Sequence, residues 1–195
     1  MVIVDGGGAN IASLRFALAR LGVDSTLSAE PDRIGRASHV ILPGVGAAAG
    51  AMRRLRAAGL DRLLPTLNQP VLGICLGMQL LFDASAEGPT DCLGLMRGRA
   101  VRLRSAPGKP VPHMGWNTLE PGGESPLLRG AQPGERAYFV HSYALPVGEY
   151  TRASTDYGTR FSACVQIRNF HGVQFHPERS GKVGARVLAN FLACD

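Results

Sequence analysis

No apolar run in this 195-residue chain is long enough to span a bilayer. The opening Met1-Val2-Ile3-Val4-Asp5 lacks the basic flank of a secretory signal, so a cytosolic protein without a membrane partner is expected. Lysine is nearly absent. Lys109 and Lys182 are the only two, and arginine supplies the rest of the formal +6 charge. Aromatic residues are sparse at 6%, and none is interleaved with the arginine clusters at Arg53, Arg54 and Arg56 or at Arg97, Arg99, Arg102 and Arg104. Those clusters therefore read as the solvated faces of a helix and a strand, and no nucleic-acid partner is expected. The four cysteines, Cys75, Cys92, Cys164 and Cys194, show neither close pairing nor ligand spacing with histidine. Reduced thiols follow, without a disulfide framework or a structural zinc. Internal repeats, low-complexity tracts and linkers are missing too, which suits a single domain over residues 1–195.

What the chain does have is a cysteine in an unusual setting. Pro70-Val71-Leu72-Gly73-Ile74-Cys75 is a short apolar run ending at sulfur, and helix-patterned Leu76-Gly77-Met78-Gln79-Leu80-Leu81-Phe82 follows directly. Glycines two residues before and two after the sulfur relieve the crowding of a sharp strand-to-helix turn. A thiol at that turn faces the free N–H groups of a helix N-terminus, which favour its anion. A buried cysteine can equally serve as a small hydrophobe, so the nucleophile reading needs a base.

Among the histidines, His176 supplies one. It ends the apolar run Gly172-Val173-Gln174-Phe175, and Pro177 fixes the backbone between it and Glu178. The imidazole can exchange a proton near neutral pH, and the carboxylate can fix its tautomer. Cys75 and His176-Glu178 at two parallel-strand ends would meet where open α/β sheets place their sites. A developing oxyanion would find donors at the N–H of Leu76 and at Pro43-Gly44-Val45-Gly46, whose glycines let the backbone turn inward. His39 before a strand and His171 in an expected turn read as structural, as do His113 and His141.

Elsewhere Val2-Ile3-Val4 and Ser38 to Leu42 read as buried strands. Asn10 can cap a helix that Gly22 stops, and helical residues span Ala47 to Ala58. Strand–helix alternation in this half predicts a parallel sheet covered on both faces. In the second half Ala100 to Arg104 alternates. Short strands at Ala137–Val140, Tyr150–Ala153 and Phe161–Ile167 predict hairpins on one sheet edge, and Val183 to Ala193 a closing helix. The fold class is α/β, with an open, mixed, mostly parallel sheet and a small antiparallel extension.

Gly73-Ile74-Cys75-Leu76-Gly77-Met78-Gln79 and Gly172-Val173-Gln174-Phe175-His176-Pro177-Glu178 resemble the nucleophile and histidine–glutamate motifs of class I glutamine amidotransferases. The likeness covers nearly the whole chain. Pro112-His113-Met114-Gly115-Trp116-Asn117, Tyr138-Phe139-Val140-His141-Ser142-Tyr143 and His176 to Ser180 resemble the branch serving imidazole glycerol phosphate synthesis, in histidine biosynthesis. The resemblance implies a glutaminase with Cys75 as nucleophile and His176 and Glu178 completing a triad. It also implies that Gln79, Ser142 and Tyr143 hold glutamine, and that no metal or organic cofactor takes part. Ammonia would pass to a (βα)8-barrel cyclase subunit in a heterodimer, because in neutral water it becomes ammonium, a poor nucleophile. This chain has no Walker-type phosphate loop for acceptor chemistry.

Within the resemblance Asn10, Trp116, Tyr138 and Arg179 face that cyclase, although Trp116 also suits a core. Gly6 and Ala9 depart from the tyrosine and glycine common in the family's first loop. The competing readings are a glutaminase for anthranilate, guanylate or carbamoyl phosphate formation, a stand-alone cysteine hydrolase, and a non-enzymatic binding subunit.

Overall fold

The structure is a computed structural model and describes residues 1–6 and 11–195. Along the chain, β1 (Val2–Val4), α1 (Ile11–Ala19), β2 (Thr26–Ser28), α2 (Pro31–Gly35), β3 (Val40–Gly44), α3 (Ala48–Ala57), α4 (Leu60–Leu63), β4 (Val71–Cys75) and α5 (Leu76–Leu80) form the first half. There follow β5 (Phe82–Ser85), β6 (Thr90–Asp91), β7 (Met96–Arg102), β8 (His113–Thr118), β9 (Glu120–Pro121), β10 (Arg136–His141) and β11 (Tyr143–Ala144). The chain closes with β12 (Thr151–Asp156), β13 (Arg160–Ile167), β14 (Phe170–Val173) and α6 (Gly181–Leu192).

The main sheet runs β2-β1-β3-β4-β14-β13-β12-β9. Its first five strands are parallel and the rest antiparallel. The strand alternation sorts side chains onto two cores. Ile3, Ile41, Leu72 and Val173 face α1, α6 and Phe139, whereas Val2, Val4, Val40, Leu42 and Val71 face α2, α3 and α5. Strands buried on both faces must be apolar throughout, and β1 and β4 are. The expected mixed, mostly parallel sheet with helices on both faces is present. No helix among the described residues is long and apolar enough to cross a membrane.

Several expectations change in detail. Strand β14 ends at Val173, so Gln174 and Phe175 lie beyond it, and His171 sits buried within the strand rather than in a turn. Its pairing with β4 extends the parallel ladder and leaves residues 174–176 to turn across the strand end. The Ala137–Val140 strand does not join the edge hairpins. As β10 it pairs with β8 in a separate two-stranded ribbon. The Ala100–Arg104 segment belongs largely to β7, in a second small sheet with β5, β6 and β11. The helical pattern after Cys75 lasts only to Leu80.

Candidate active site

Strand β4 is wholly buried and delivers Cys75 to the carboxyl edge of the sheet. The backbone there has φ +55° and ψ −111°, a conformation that costs a side chain about 1–3 kcal/mol. Packing maintains it. A Cβ on Gly77 would stand 1.8 Å from the Leu42 carbonyl oxygen, and one on Gly73 would stand 2.7 Å from the Gly77 oxygen. Gly44, at the end of β3, is equally constrained, since a Cβ would lie 2.7 Å from the Gly77 nitrogen. Glycine is thus required because β3, β4 and α5 meet backbone to backbone.

His176 and Glu178 occupy the short turn between β14 and α6. His176 Nδ1 and Glu178 Oε1 are 2.9 Å apart, and Cys75 lies near enough to act on the ring's charge. Burial opposes charge on this imidazole, yet the sulfur and the carboxylate win and raise its pKa to about 10. The turn is tied to the ribbon. His176 N–H donates to the Tyr138 carbonyl at 2.9 Å. Tyr138 N–H donates to Ser180 Oγ at 2.9 Å, and that hydroxyl donates to the His176 carbonyl at 2.7 Å. Strand β10 also supplies the Val140 carbonyl, 3.6 Å from Cys75 Sγ. The ribbon therefore spans the cleft and touches both halves of the thiol–imidazole pair.

Cys75, His176 and Glu178 all line one cavity of about 420 Å³, with Val45, Gly46, Leu76, Gln79, Ser142, Tyr143 and Arg179. That volume suits a free amino acid and is modest for a ligand pocket, where roughly 300–1,000 Å³ is usual. Gly46 has φ +81°, so this loop takes a turn that other residues resist. Of the predicted residues only Gly44 among the oxyanion group lies off this cavity, packed behind Leu76. Trp116 is not a core residue: it stands 49% exposed on the ribbon's outer face. Tyr138 meets it edge-on at 5.9 Å, and the Arg179 guanidinium sits 5.7 Å over the Tyr138 ring. Asn10, read as a helix cap and interface residue, lies outside the described residues, as does Ala9.

Two polar residues escaped the sequence reading. Fully buried Gln174 points Nε2 at Cys75 Sγ, 3.7 Å away, and accepts from Gln79 Nε2 at 3.0 Å. Its position two residues before His176 was the available signal, obscured by counting it within a strand. Glu87 lines the cavity too, and its Oε2 accepts the Ala48 N–H at 3.0 Å at the start of α3. No local motif marks it. The other thiols contrast with Cys75 in their surroundings. Burial pushes Cys92 up to about 11 and Cys164 to about 12, and raises Cys194 as well.

A strained cysteine at a strand end, paired with a carboxylate-backed imidazole over an amino-acid-sized cavity, defines a class of thiol-dependent enzyme. Residues 2–194 match the model of glutamine amidotransferase class-I, and the chain belongs to that family. It is 52% identical over 195 residues to an imidazole glycerol phosphate synthase subunit HisH of Xylella fastidiosa, covering 100% of this chain and 98% of the relative. Another HisH subunit, from Idiomarina loihiensis, is 51% identical over 192 residues, with 98% and 96% covered. In fold, the chain is similar to PurLQS from Thermotoga maritima, with TM-score 0.71 and 21% identity over 98% of this chain and 96% of that one.

Proposed function

We propose that the chain, as one glutaminase domain over residues 1–195, hydrolyses glutamine and hands the ammonia to a (βα)8-barrel cyclase subunit that makes imidazole glycerol phosphate. The observation carrying this reading is the meeting of Cys75, His176 and Glu178 at one cavity, in a chain about half identical to HisH subunits along its whole length. Cys75 sulfur attacks the side-chain amide carbon, and the carbonyl electrons move to oxygen. Collapse of that adduct breaks the C–N bond, and the His176 proton leaves with nitrogen as ammonia. The imidazole then takes a proton from water, hydroxide attacks the thioester, and glutamate departs as sulfur is released.

Leu76 N–H and the Val45–Gly46 loop adjoin the place where the oxyanion develops. Both N–H bonds of Gln79 are committed, to the Tyr143 carbonyl at 2.8 Å and to Gln174. Its carbonyl oxygen, with the Glu87 carboxylate, makes an acceptor-rich end that suits the ammonium of an amino acid, while Ser142 and Tyr143 close the wall. Trp116 and Met114, 49% and 64% exposed, form an apolar face continuous with Arg179 at the cavity and suit a docked cyclase.

Glutamate release should be slow for the chain alone and rise strongly when the cyclase and its ligand are added. Full activity without a partner, or activity on peptides, would overturn the synthase assignment. A histidine auxotroph lacking its own glutaminase subunit should grow without histidine when supplied with this chain.

A further inference from the structure

We propose that His113 and His141 are positioning residues for glutamine: two neutral imidazoles, each locked in one tautomer, hold the Tyr143 carbonyl that orients Gln79. The proposal rests on the glutaminase reading and adds a part that neither attacks nor protonates the substrate.

The tautomers follow from the partners at each end. A carbonyl only accepts, so His141 Nδ1, 2.9 Å from the Tyr143 oxygen, carries hydrogen. In a neutral ring Nε2 is then bare, and it faces His113 Nδ1 at 3.0 Å. His113 Nδ1 must therefore be the donor, which leaves its Nε2 bare beside Asn117 Nδ2 at 3.4 Å. The far end gives the same answer independently. Thr118 N–H donates to Asn117 Oδ1 at 2.8 Å, and Asn117 Nδ2 donates to the Asp156 carbonyl at 2.9 Å. The amide orientation is thus set, and Nδ2 presents hydrogen to His113.

This chain of bonds has no room for another proton. A charged His141 would turn an N–H against the His113 N–H, and moving that hydrogen to His113 Nε2 would set it against the Asn117 amide. The surroundings favour neutrality as well. Phe139 and Tyr157 stack on the two faces of His113 at 5.0 and 4.0 Å, and Phe161 meets His141 at 5.0 Å. The titratable neighbours are Tyr157, with Lys109 over its ring, and His176 across the cleft, which repels charge on His141. Burial lowers His113 to about 4 and His141 to about 3.

From Tyr143 the chain continues to the sulfur. Its carbonyl also accepts from Gln79, Gln79 donates to Gln174, and Gln174 points at Cys75. Strand alternation puts His113 and Asn117 on the inner face of β8 and Met114 and Trp116 on the outer. The ribbon that offers the apolar face thus also sets the wall of the glutamine pocket.

The test uses the full complex with the cyclase. Leaving one buried partner unpaired is worth about 10- to 100-fold in binding. His113→Phe and His141→Phe should accordingly raise KM for glutamine about tenfold or more while kcat changes by less than about threefold. An asparagine amide nitrogen stands where Nδ1 does, so His141→Asn should recover much of that loss. Ammonia-dependent synthesis should be retained throughout. An unchanged KM in both phenylalanine variants would overturn the proposal, as would an equal loss in His141→Phe and His141→Asn.

If the variants do not fold, ¹⁵N-histidine NMR of the wild-type chain decides. Both rings should be neutral and protonated at Nδ1 at neutral pH, and an Nε2–H or charged form of either overturns the proposal. Wild-type complex that releases no glutamate would instead overturn the glutaminase reading itself.

Discussion

At the elbow, backbone packs on backbone, and each contact that presents Cys75 passes through a glycine with no space for a methyl group. Across the cleft, the ribbon of β8 and β10 is held by hydrogen bonds that use side chains: His113 to His141, Asn117 to Asp156, and Tyr138 to the Ser180 hydroxyl in the turn carrying His176. The first arrangement is all or none, because a crowded backbone junction cannot yield by tenths of an ångström. The second can weaken one bond at a time. A thiol fixed in space faces a wall built from replaceable pieces, and that wall carries the exposed Trp116.

The comparison breaks most completely at the sulfur. Cys75→Ala leaves the elbow packing intact and should cut glutamine-dependent synthesis by about 10³-fold or more. Ammonia-dependent synthesis in the complex should survive. A glutamine-like diazo-ketone should label Cys75 alone, since burial keeps the other three thiols protonated. Mass spectrometry locates the adduct, and modification of Cys92, Cys164 or Cys194 with Cys75 spared would remove the nucleophile assignment. His176→Ala should follow closely, with Glu178→Gln milder because it weakens orientation of the ring without deleting it.

Gly77→Ala attacks the elbow itself. Its Cβ would enter the Leu42 carbonyl, so the strand-to-helix turn must open at a cost of more than about 3 kcal/mol. Urea titration should show that loss together with loss of glutaminase activity. Gln174→Leu probes the seam between the two regions. It keeps the volume but deletes the donor aimed at sulfur, and kcat/KM for glutamine should drop about tenfold, the scale of one hydrogen bond to a charged group. An unchanged kcat/KM would remove Gln174 from both roles, the contact with sulfur and the support of Gln79.

The same contrast explains what could be read in advance. Glycines at 73 and 77 and the spacing of His176 from Glu178 are local signals, visible within a few residues, and they led directly to the elbow and the turn. The parallel half of the sheet was legible because β1, β3 and β4 are apolar on both faces. Strand β2 and helix α2 are too short to show any period, so the sequence pattern assigns them no element. The ribbon needed pairing information. His113 meets His141 only through antiparallel register across an intervening segment, and Glu87 reaches α3 from a distant turn. Side-chain networks between remote strands leave no pattern along the chain.

The smallest predicted effect distinguishes the regions by the sign of their response to pH. His113, His141 and His171 have folded pKa values of about 4, 3 and 4 against 6.5 unfolded. Above pH 6.5 both states leave them neutral. As pH falls below it, the unfolded chain gains protons that the folded chain refuses, so stability drains away between 6.5 and about 3. His176 behaves oppositely. Its folded pKa of about 10 lies above 6.5, so its contribution is complete below 6.5 and is lost as pH rises toward 10. Stability measured by urea titration at acid, neutral and alkaline pH should be greatest near neutrality. His141→Asn should flatten the acid side only, because the ring that resists protonation is gone. Cys75→Ala should flatten the alkaline side only, because one of the contacts that raises His176 is gone. A variant that flattened both sides would mean that the two regions share their protons and that elbow and ribbon titrate as one unit.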